Sequence, residues 1–427
     1  MSTATTTRPD EATGVMPPVR WRNPVTYIVL TLVALLGFTL FTEAQTHTTF
    51  QFSTRGDLAQ IPNLAVPVLA GLWGTVLVMA AVAGYATWAA LRRRSVGWWA
   101  PALFGLAFVT AFLLWVGGGR DTLIPVPTLL GGALALSVPL VFGALSGVMC
   151  ERSGVINIAI EGQLLGGAFL AAVVASLTTS AYVGLAAAPV AGALVGVLLV
   201  FFGVRYWVDQ IIVGVVLNVL VIGLTSFLYS TVLSENDGWN NRQDLPDLPI
   251  PFLSDIPVLG PVLFDQNILV YLMYAAVVVL QVMLFRSRWG LRVRAVGEHP
   301  KAADTVGINV IRTRWVTTIM GGALAGLGGA FFTVGSGLAF GREMSAGNGY
   351  IALAAMILGK WNPVGAVAAA LLFGFSRNLA NVLGAMGGAG IPGEFLLMLP
   401  YAVTILAVAG FVGRVRAPAA ENQPYIK

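Results

Sequence analysis

Cysteine and histidine are nearly absent from this chain of 427 residues: there is one cysteine, Cys150, and there are two histidines, His47 and His299. A single thiol cannot close an intrachain disulfide or build a thiolate metal centre. Two histidines so far apart in sequence do not form a metal cluster or a proton relay. Charge is scarce as well, at 10% of residues, where soluble domains carry about 25%. Nucleotide-phosphate motifs are missing. Gly359-Lys360 is followed by Trp361 instead of Ser or Thr, with no matching upstream glycine, so no loop of that kind cradles phosphate. There is no Gly-x-Ser-x-Gly elbow and no His-Glu-x-x-His pair. Together these gaps argue against an enzyme.

What the chain has in quantity is long apolar runs. Hydrophobic residues make up 57% of it, with a mean hydropathy of +0.82. That composition is expected of an all-α, polytopic membrane protein. A helix needs about 20 apolar residues to cross a ~30 Å hydrocarbon core. Twelve segments are candidates: 25–42, 64–90, 98–116, 128–149, 157–177, 183–203, 209–231, 268–285, 315–335, 349–359, 363–384 and 395–413. The run 349–359 is too short for a full crossing and is expected to be a half-helix, enclosed by protein.

The net charge of +5 is therefore no sign of nucleic acid; the placement of the basic residues matters more. With the N-terminus inside, 19 of them face the cytoplasm against 4 outside, which predicts two cytoplasmic termini. The polar stretch 1–24 lacks the apolar core and cleavage site of a signal peptide and is read as a cytoplasmic tail. Residues 25–127 form an N-terminal three-helix extension, set off by Arg92-Arg93-Arg94, Gly117-Gly118-Gly119 and the Pro125/Pro127 segment. A denser, glycine-rich block follows over 128–413, and 414–427 is a second cytoplasmic tail.

Two connections are long. The outer one, 234–265, holds five prolines and six carboxylates. It is either a stiff spacer or a docking surface for an external protein. The inner one, 286–314, is the polar part of the chain. Within the spans, Gly322/Gly326 and Gly321/Ala325/Gly329 make small faces for close helix packing.

Polar side chains inside spans are costly without partners, so each one is informative. Asn157 and Glu161 sit at i and i+4, a spacing that predicts one shared helix face after the break at Ser153-Gly154. Glu161 either fixes the bundle through a neighbour or lines a solute path. Gln210, Gly214 and Asn218 form a second face. Their amides suit a polar, uncharged solute or an interhelical hydrogen bond. A second break, Ser345-Ala-Gly-Asn-Gly349, contains Asn348 and precedes the short apolar run. Two interrupted segments in different halves point to a central site between them. Arg377 and Glu394 are expected near the outer interface, where long side chains snorkel. A transporter driven by an ion gradient would more often hold several intramembrane acids or histidines, and Glu161 is nearly alone.

The inner loop carries the last local signal. Pro300 suits the first position of a helix, and Gly307 suits its left-handed end. Ala302, Ala303 and Val306 are expected to form a small apolar face between them. So short a helix needs a partner to hold it.

This segment, with its Ala-Ala-x-x-x-Gly core (Ala302, Ala303, Gly307), resembles the coupling helix of bacterial ABC importer permeases. Glu151–Gly162, Gln210–Phe227, Gly290–Asn309 and Gly347–Gly359 extend the likeness over roughly residues 128–413. The chain is similar to the branched permease family of ribose-type and nucleoside-type importers, and most of all to the nucleoside (guanosine-type) permeases. The resemblance implies the transmembrane subunit of an ATP-driven importer for nucleosides or related purine-containing solutes, in a bacterial plasma (inner) membrane. Its partners would be separate ATPase subunits, a second homologous permease as homo- or heterodimer, an external substrate-binding lipoprotein and membrane lipid. It implies no catalytic residue, metal or cofactor in this chain, because ATP-Mg would sit on the ATPase. It assigns Gly297, Glu298, Pro300, Ala302, Ala303 and Gly307 to ATPase coupling. Asn157, Glu161, Gln210, Asn218 and Asn348 are the candidate path-lining residues. A simple-sugar permease such as one for ribose, and a secondary transporter without an ATPase, are the alternatives. Two features depart from the family. His299 stands where the family usually has Asn, a better N-cap. Residues 1–127 have no counterpart in its shorter members.

Overall fold

The computed structural model describes residues 21–39, 42, 46–53, 56–97, 99–118, 123–385, 398 and 416–426. Apart from residue 398, the expected span at 395–413 lies outside the described residues, as does Glu394. The described chain forms two compact units, residues 1–51 with 63–124 and residues 52–62 with 125–427.

The first unit contains helices α1 (Arg22–Val33), α2 (Val68–Leu91) and α3 (Trp99–Gly117). Strands His47–Gln51 and Leu64–Pro67 pair antiparallel, with His47 opposite Pro67. Aromatic rings tie α1 to α3: Tyr27 stacks on Phe104 with centroids 4.6 Å apart, and Phe38, in the π-helical turn that extends α1, stacks on Trp115 at 5.2 Å. The Thr48 hydroxyl donates to the Leu114 carbonyl at 2.8 Å, which pins the strand to α3.

The second unit runs α4 (Val126–Glu151), α5 (Ile160–Thr178), α6 (Ala181–Val200), α7 (Gln210–Leu228) and α8 (Ile268–Arg286). Two short helices follow, α9 (Arg288–Glu298) and α10 (Pro300–Thr305), then α11 (Val310–Gly329), α12 (Asn348–Leu358) and α13 (Pro363–Ala385). Side-chain caps start several of these helices. Asp209 accepts from the Ile211 and Ile212 amides, Asn267 from Val270, Ser287 from Gly290 and Asn309 from Arg312. Each cap satisfies amides that the first turn leaves free.

Among the described residues, ten helices are long and apolar enough to cross a membrane. The protein is a multi-pass helical membrane protein. At 11 residues, α12 is an eleventh, shorter apolar helix; at 1.5 Å per residue it covers about 16 Å, half a hydrocarbon core. It is the half-helix expected at 349–359.

The core of the second unit is α4, buried along nearly its whole length and packed against α11, α12 and α13. Helices α5, α6 and α11 pack together through glycine. A Cβ on Gly192 would overlap the Gly322 carbonyl, one on Gly326 the Ala188 carbonyl, and one on Gly167 the Gly326 carbonyl. The small face at Gly322/Gly326 is thus the seat of α6. The apolar effect gives helices in lipid little reason to associate, so this backbone approach and its dispersion contacts hold them together.

The connection 234–265 is anchored. Leu245 donates its amide to the Val334 carbonyl at 2.9 Å, Asn240 bonds both the Phe340 amide and carbonyl, and Asp247–Pro249 pairs with Asp265–Asn267.

Candidate functional site

Two breaks in the helices meet. The first, residues 152–159, separates α4 from α5; the second, residues 333–347, separates α11 from α12. Their meeting point is Glu161, in the first turn of α5. One carboxylate oxygen accepts from the Ser345 hydroxyl at 2.6 Å and the Gly347 amide at 2.8 Å; the other accepts from the Gly349 amide at 2.6 Å. Glu161 therefore caps the N-terminus of α12, where free amides and the helix dipole both favour an anion. Gly349 makes this possible, because a Cβ there would overlap the Glu161 backbone. Gly347, at φ +78°, supplies the left-handed turn that aims the amides.

Other polar groups extend the network. Asn348 donates to the Ser345 carbonyl at 2.6 Å and accepts from Arg377 of α13 at 2.6 Å. On the α5 side, the Gly162 amide donates to Asn218 Oδ1 at 2.8 Å. Asn218 Nδ2 donates to the Ile158 carbonyl at 2.9 Å and the Tyr350 hydroxyl at 3.3 Å. Glu161, Asn218 and Asn348, each 1–4% exposed, are thus joined through Gly162 and Ser345 into one cluster, with the half-exposed Tyr350 at its edge.

The other two candidates lie apart from that cluster. Asn157 is not on α5, which begins at Ile160, so the shared helix face expected for Asn157 and Glu161 does not exist. The chain turns at residues 158–159. Asn157 instead donates to Ser146 Oγ and Gln163 Oε1, both at 3.0 Å, while Glu161 turns to α12. Gln210 accepts from the Ile156 amide at 2.8 Å. In this conformation the amides of α7 clamp the first break: Gln210 holds its middle and Asn218 its end.

Arg377, expected near the outer interface, donates its guanidinium to Asn348 and so joins α13 to this cluster. Ser146, Gln163 and Tyr350 join the site without having been singled out. Gln163, two residues after Glu161, and Tyr350, a phenol opening an apolar run, were the available signals. Among the described residues, Asn157 Oδ1 and Gln163 Nε2, both fully enclosed, have no hydrogen-bond partner.

The inner loop, 286–314, is built as its sequence predicts at its ends and differently on its faces. Pro300 opens α10. At the other end Gly307 has φ +85°, its amide donates to the Asp304 carbonyl at 2.9 Å, and the Ile308 amide donates to the Ala303 carbonyl at 3.0 Å. That pair of bonds is a Schellman motif. His299 is at the cap position and makes no side-chain capping bond. The apolar face expected from Ala302, Ala303 and Val306 is split. Ala303 is buried against Val296, Val310 and Tyr425, whereas Ala302, Val306 and Gly307 are exposed. Gly297 is also enclosed, packed on the Arg152 carbonyl, and Glu298 is exposed. Six residues make under two turns, so one face must turn inward for α10 to be held at all.

Residues 129–408 match the family described as the branched-chain amino acid transport system / permease component. The chain belongs to that permease family. Over 303 residues the permease is 38% identical to the guanosine ABC transporter permease protein NupQ of Bacillus subtilis, covering 69% of this chain and 95% of the relative. It is 40% identical over 303 residues to the nucleoside ABC transporter permease protein NupC of Lactococcus lactis, with the same coverage. A putative glucose ABC transporter permease protein, TsgC13 of Haloferax volcanii, is 31% identical over 252 residues, 58% of this chain and 74% of the relative. No solved structure matches the chain.

Proposed function

We propose that this permease is the membrane subunit of an ATP-driven importer for nucleosides or related purine-containing solutes. One observation carries the substrate class: two relatives named for guanosine and nucleoside transport are matched over 95% of their length at 38% and 40% identity. The geometry supports the mechanism. Glu161, at the N-terminus of α12, lies about 16 Å from the Leu358 end of that helix. Two broken helices crossing at such a depth are the construction expected around a transported solute. Asn157, Glu161, Gln210, Asn218 and Asn348 line or frame the path. Rearrangement of the α7 clamp and of the α12 cap alternates its access.

ATP-Mg binds on separate ATPase subunits, which dock on the exposed side of α10 at Ala302, Val306 and Gly307. Both termini and the α9–α10 loop are cytoplasmic, and the acidic connection 234–265 faces an external substrate-binding lipoprotein. A second, homologous permease completes the pathway. A sugar permease is the second reading, favoured by the 31% identity to the putative glucose permease.

Co-purification tests the docking. The wild-type chain should bring down a P-loop ATPase, and Ala302→Arg, on the exposed side of a capped helix, should lose it at unchanged membrane abundance. A fully active transporter that purifies alone would refute the importer reading.

A further inference from the structure

The C-terminal tail is not a loose end. Over residues 416–426 it has one turn, at Ala419–Asn422, and touches three parts of the second unit. The first is the coupling loop. The Ala420 amide donates to the Gly297 carbonyl at 2.9 Å and the Ala419 amide to Glu298 Oε2 at 3.4 Å. The Tyr425 ring completes the apolar cluster that buries Ala303 of α10, and its hydroxyl bonds Asp304.

The second part is the break before α5. Arg314, a fully enclosed guanidinium at 1% exposure, donates to the Gln423 carbonyl at 2.9 Å and the Ala420 carbonyl at 3.4 Å, and its Nε to the Ser153 carbonyl at 3.3 Å. One side chain of α11 thus holds the tail and the break together. The third is the start of α7. Asn422 donates to Asp209 Oδ2 at 3.2 Å and accepts from the Gln210 amide at 3.3 Å, and the Gln210 side chain in turn holds Ile156.

We infer that the tail is a strap that carries movement of the coupling helix to the broken segment framing the path, with Arg314 and Asn422 as positioning residues. This inference rests on the importer reading above. Helix α10 is six residues long, and its buried side chain, Ala303, packs on Tyr425. A displacement of α10 therefore pulls on the tail. The tail's polar anchors lie on the break (through Arg314) and on the α7 amide that clamps it. With the tail released, α10 loses its apolar seat, and its motion is no longer passed to residues 153–156 by this route.

The test uses the permease assembled with its ATPase subunits in liposomes, measuring labelled guanosine uptake per ATP hydrolysed. Asn422→Asp sets a carboxylate against that of Asp209 at an exposed place, so folding is spared. Uptake per ATP should fall fivefold or more, with complex yield and basal hydrolysis retained. The double variant Asp209→Asn/Asn422→Asp exchanges donor and acceptor, and Asn caps α7 as well as Asp; it should recover to within twofold of wild type. Deletion of residues 417–427, which also removes Tyr425 from the seat of α10, should lower uptake per ATP at least as far; unchanged uptake per ATP after the deletion likewise overturns the strap. Unchanged uptake per ATP in Asn422→Asp, or a loss that the exchange does not restore, overturns the strap. A wild-type chain that binds no ATPase overturns the importer reading instead, and shows it before any variant is made.

Discussion

Replacing Glu161 probes the cap on α12 directly. Three donors converge on its two oxygens: the Ser345 hydroxyl, the Gly347 amide and the Gly349 amide, at 2.6–2.8 Å. In Glu161→Gln the carbonyl oxygen can keep the Ser345 and Gly347 bonds, but the amide nitrogen then faces the Gly349 N–H, donor against donor. One buried donor left unpaired costs about 1–3 kcal/mol. In Glu161→Ala both backbone amides are left unpaired, and at the same rate the loss is roughly 2–6 kcal/mol, because a rotating Ser345 hydroxyl can find another acceptor and the amides cannot. The order wild type, Gln, Ala should therefore appear in unfolding free energies from denaturant titration in mixed micelles, with the Ala loss about twice the Gln loss. Uptake should fall in the same order, since α12 frays from its unsupported end. Equal, small losses for both variants would refute the cap. So would a Gln variant less stable than Ala.

Gly322→Ala should separate α6 from α11, because its Cβ would overlap the Gly192 carbonyl; overpacking of this kind costs about 1–3 kcal/mol, while Gly223→Ala, with open space around it, should be neutral or stabilising in the same unfolding assay. Gly307→Ala should weaken the end of α10 by roughly 1–2 kcal/mol, the cost of a Cβ in the left-handed region, read as lowered ATPase co-purification. Tail docking should depend on pH. Burial holds the Glu421 carboxyl above the ordinary carboxylate range, and it shares a hydrogen bond with the carboxyl of Glu151. A raised value in the docked state means that docking takes up a proton. The stabilisation is complete below the undocked carboxyl's pKa and is lost as pH rises through the docked value. Protease cleavage of the tail should accelerate from pH 5 to pH 8, and Glu421→Gln should remove that slope.

The spans were legible because hydrophobic length alone fixes them: α2 to α8, α11 and α13 fall where 18-residue or longer apolar runs lie. The half-helix was legible for the same reason, as an apolar run of half the needed length. Pro300 and Gly307 announced α10 because each residue type fits one backbone geometry. Periodicity failed at Asn157. An i, i+4 spacing has meaning only inside a helix, and the turn at 158–159 places Asn157 before the first residue of α5. It failed again at Ala303, whose inward face is set by Tyr425, more than a hundred residues away. The partner of Arg377, Asn348, is not legible in sequence, because the two residues lie on different helices, α13 and α12. The docking of the tail is not legible in sequence, because short polar ends carry no periodic signal and its anchors, at Asp209, Gly297, Glu298 and Arg314, lie more than a hundred residues away.

Uptake decides whether an ATP-driven nucleoside path runs through this permease. The permease, its ATPase subunits and its binding lipoprotein are reconstituted in liposomes with labelled guanosine outside and ATP at the ATPase face. ATP-dependent accumulation is expected, suppressed by unlabelled uridine or guanosine and unchanged by ribose and glucose. Accumulation suppressed by a free sugar alone, or proceeding without ATP, would contradict that expectation.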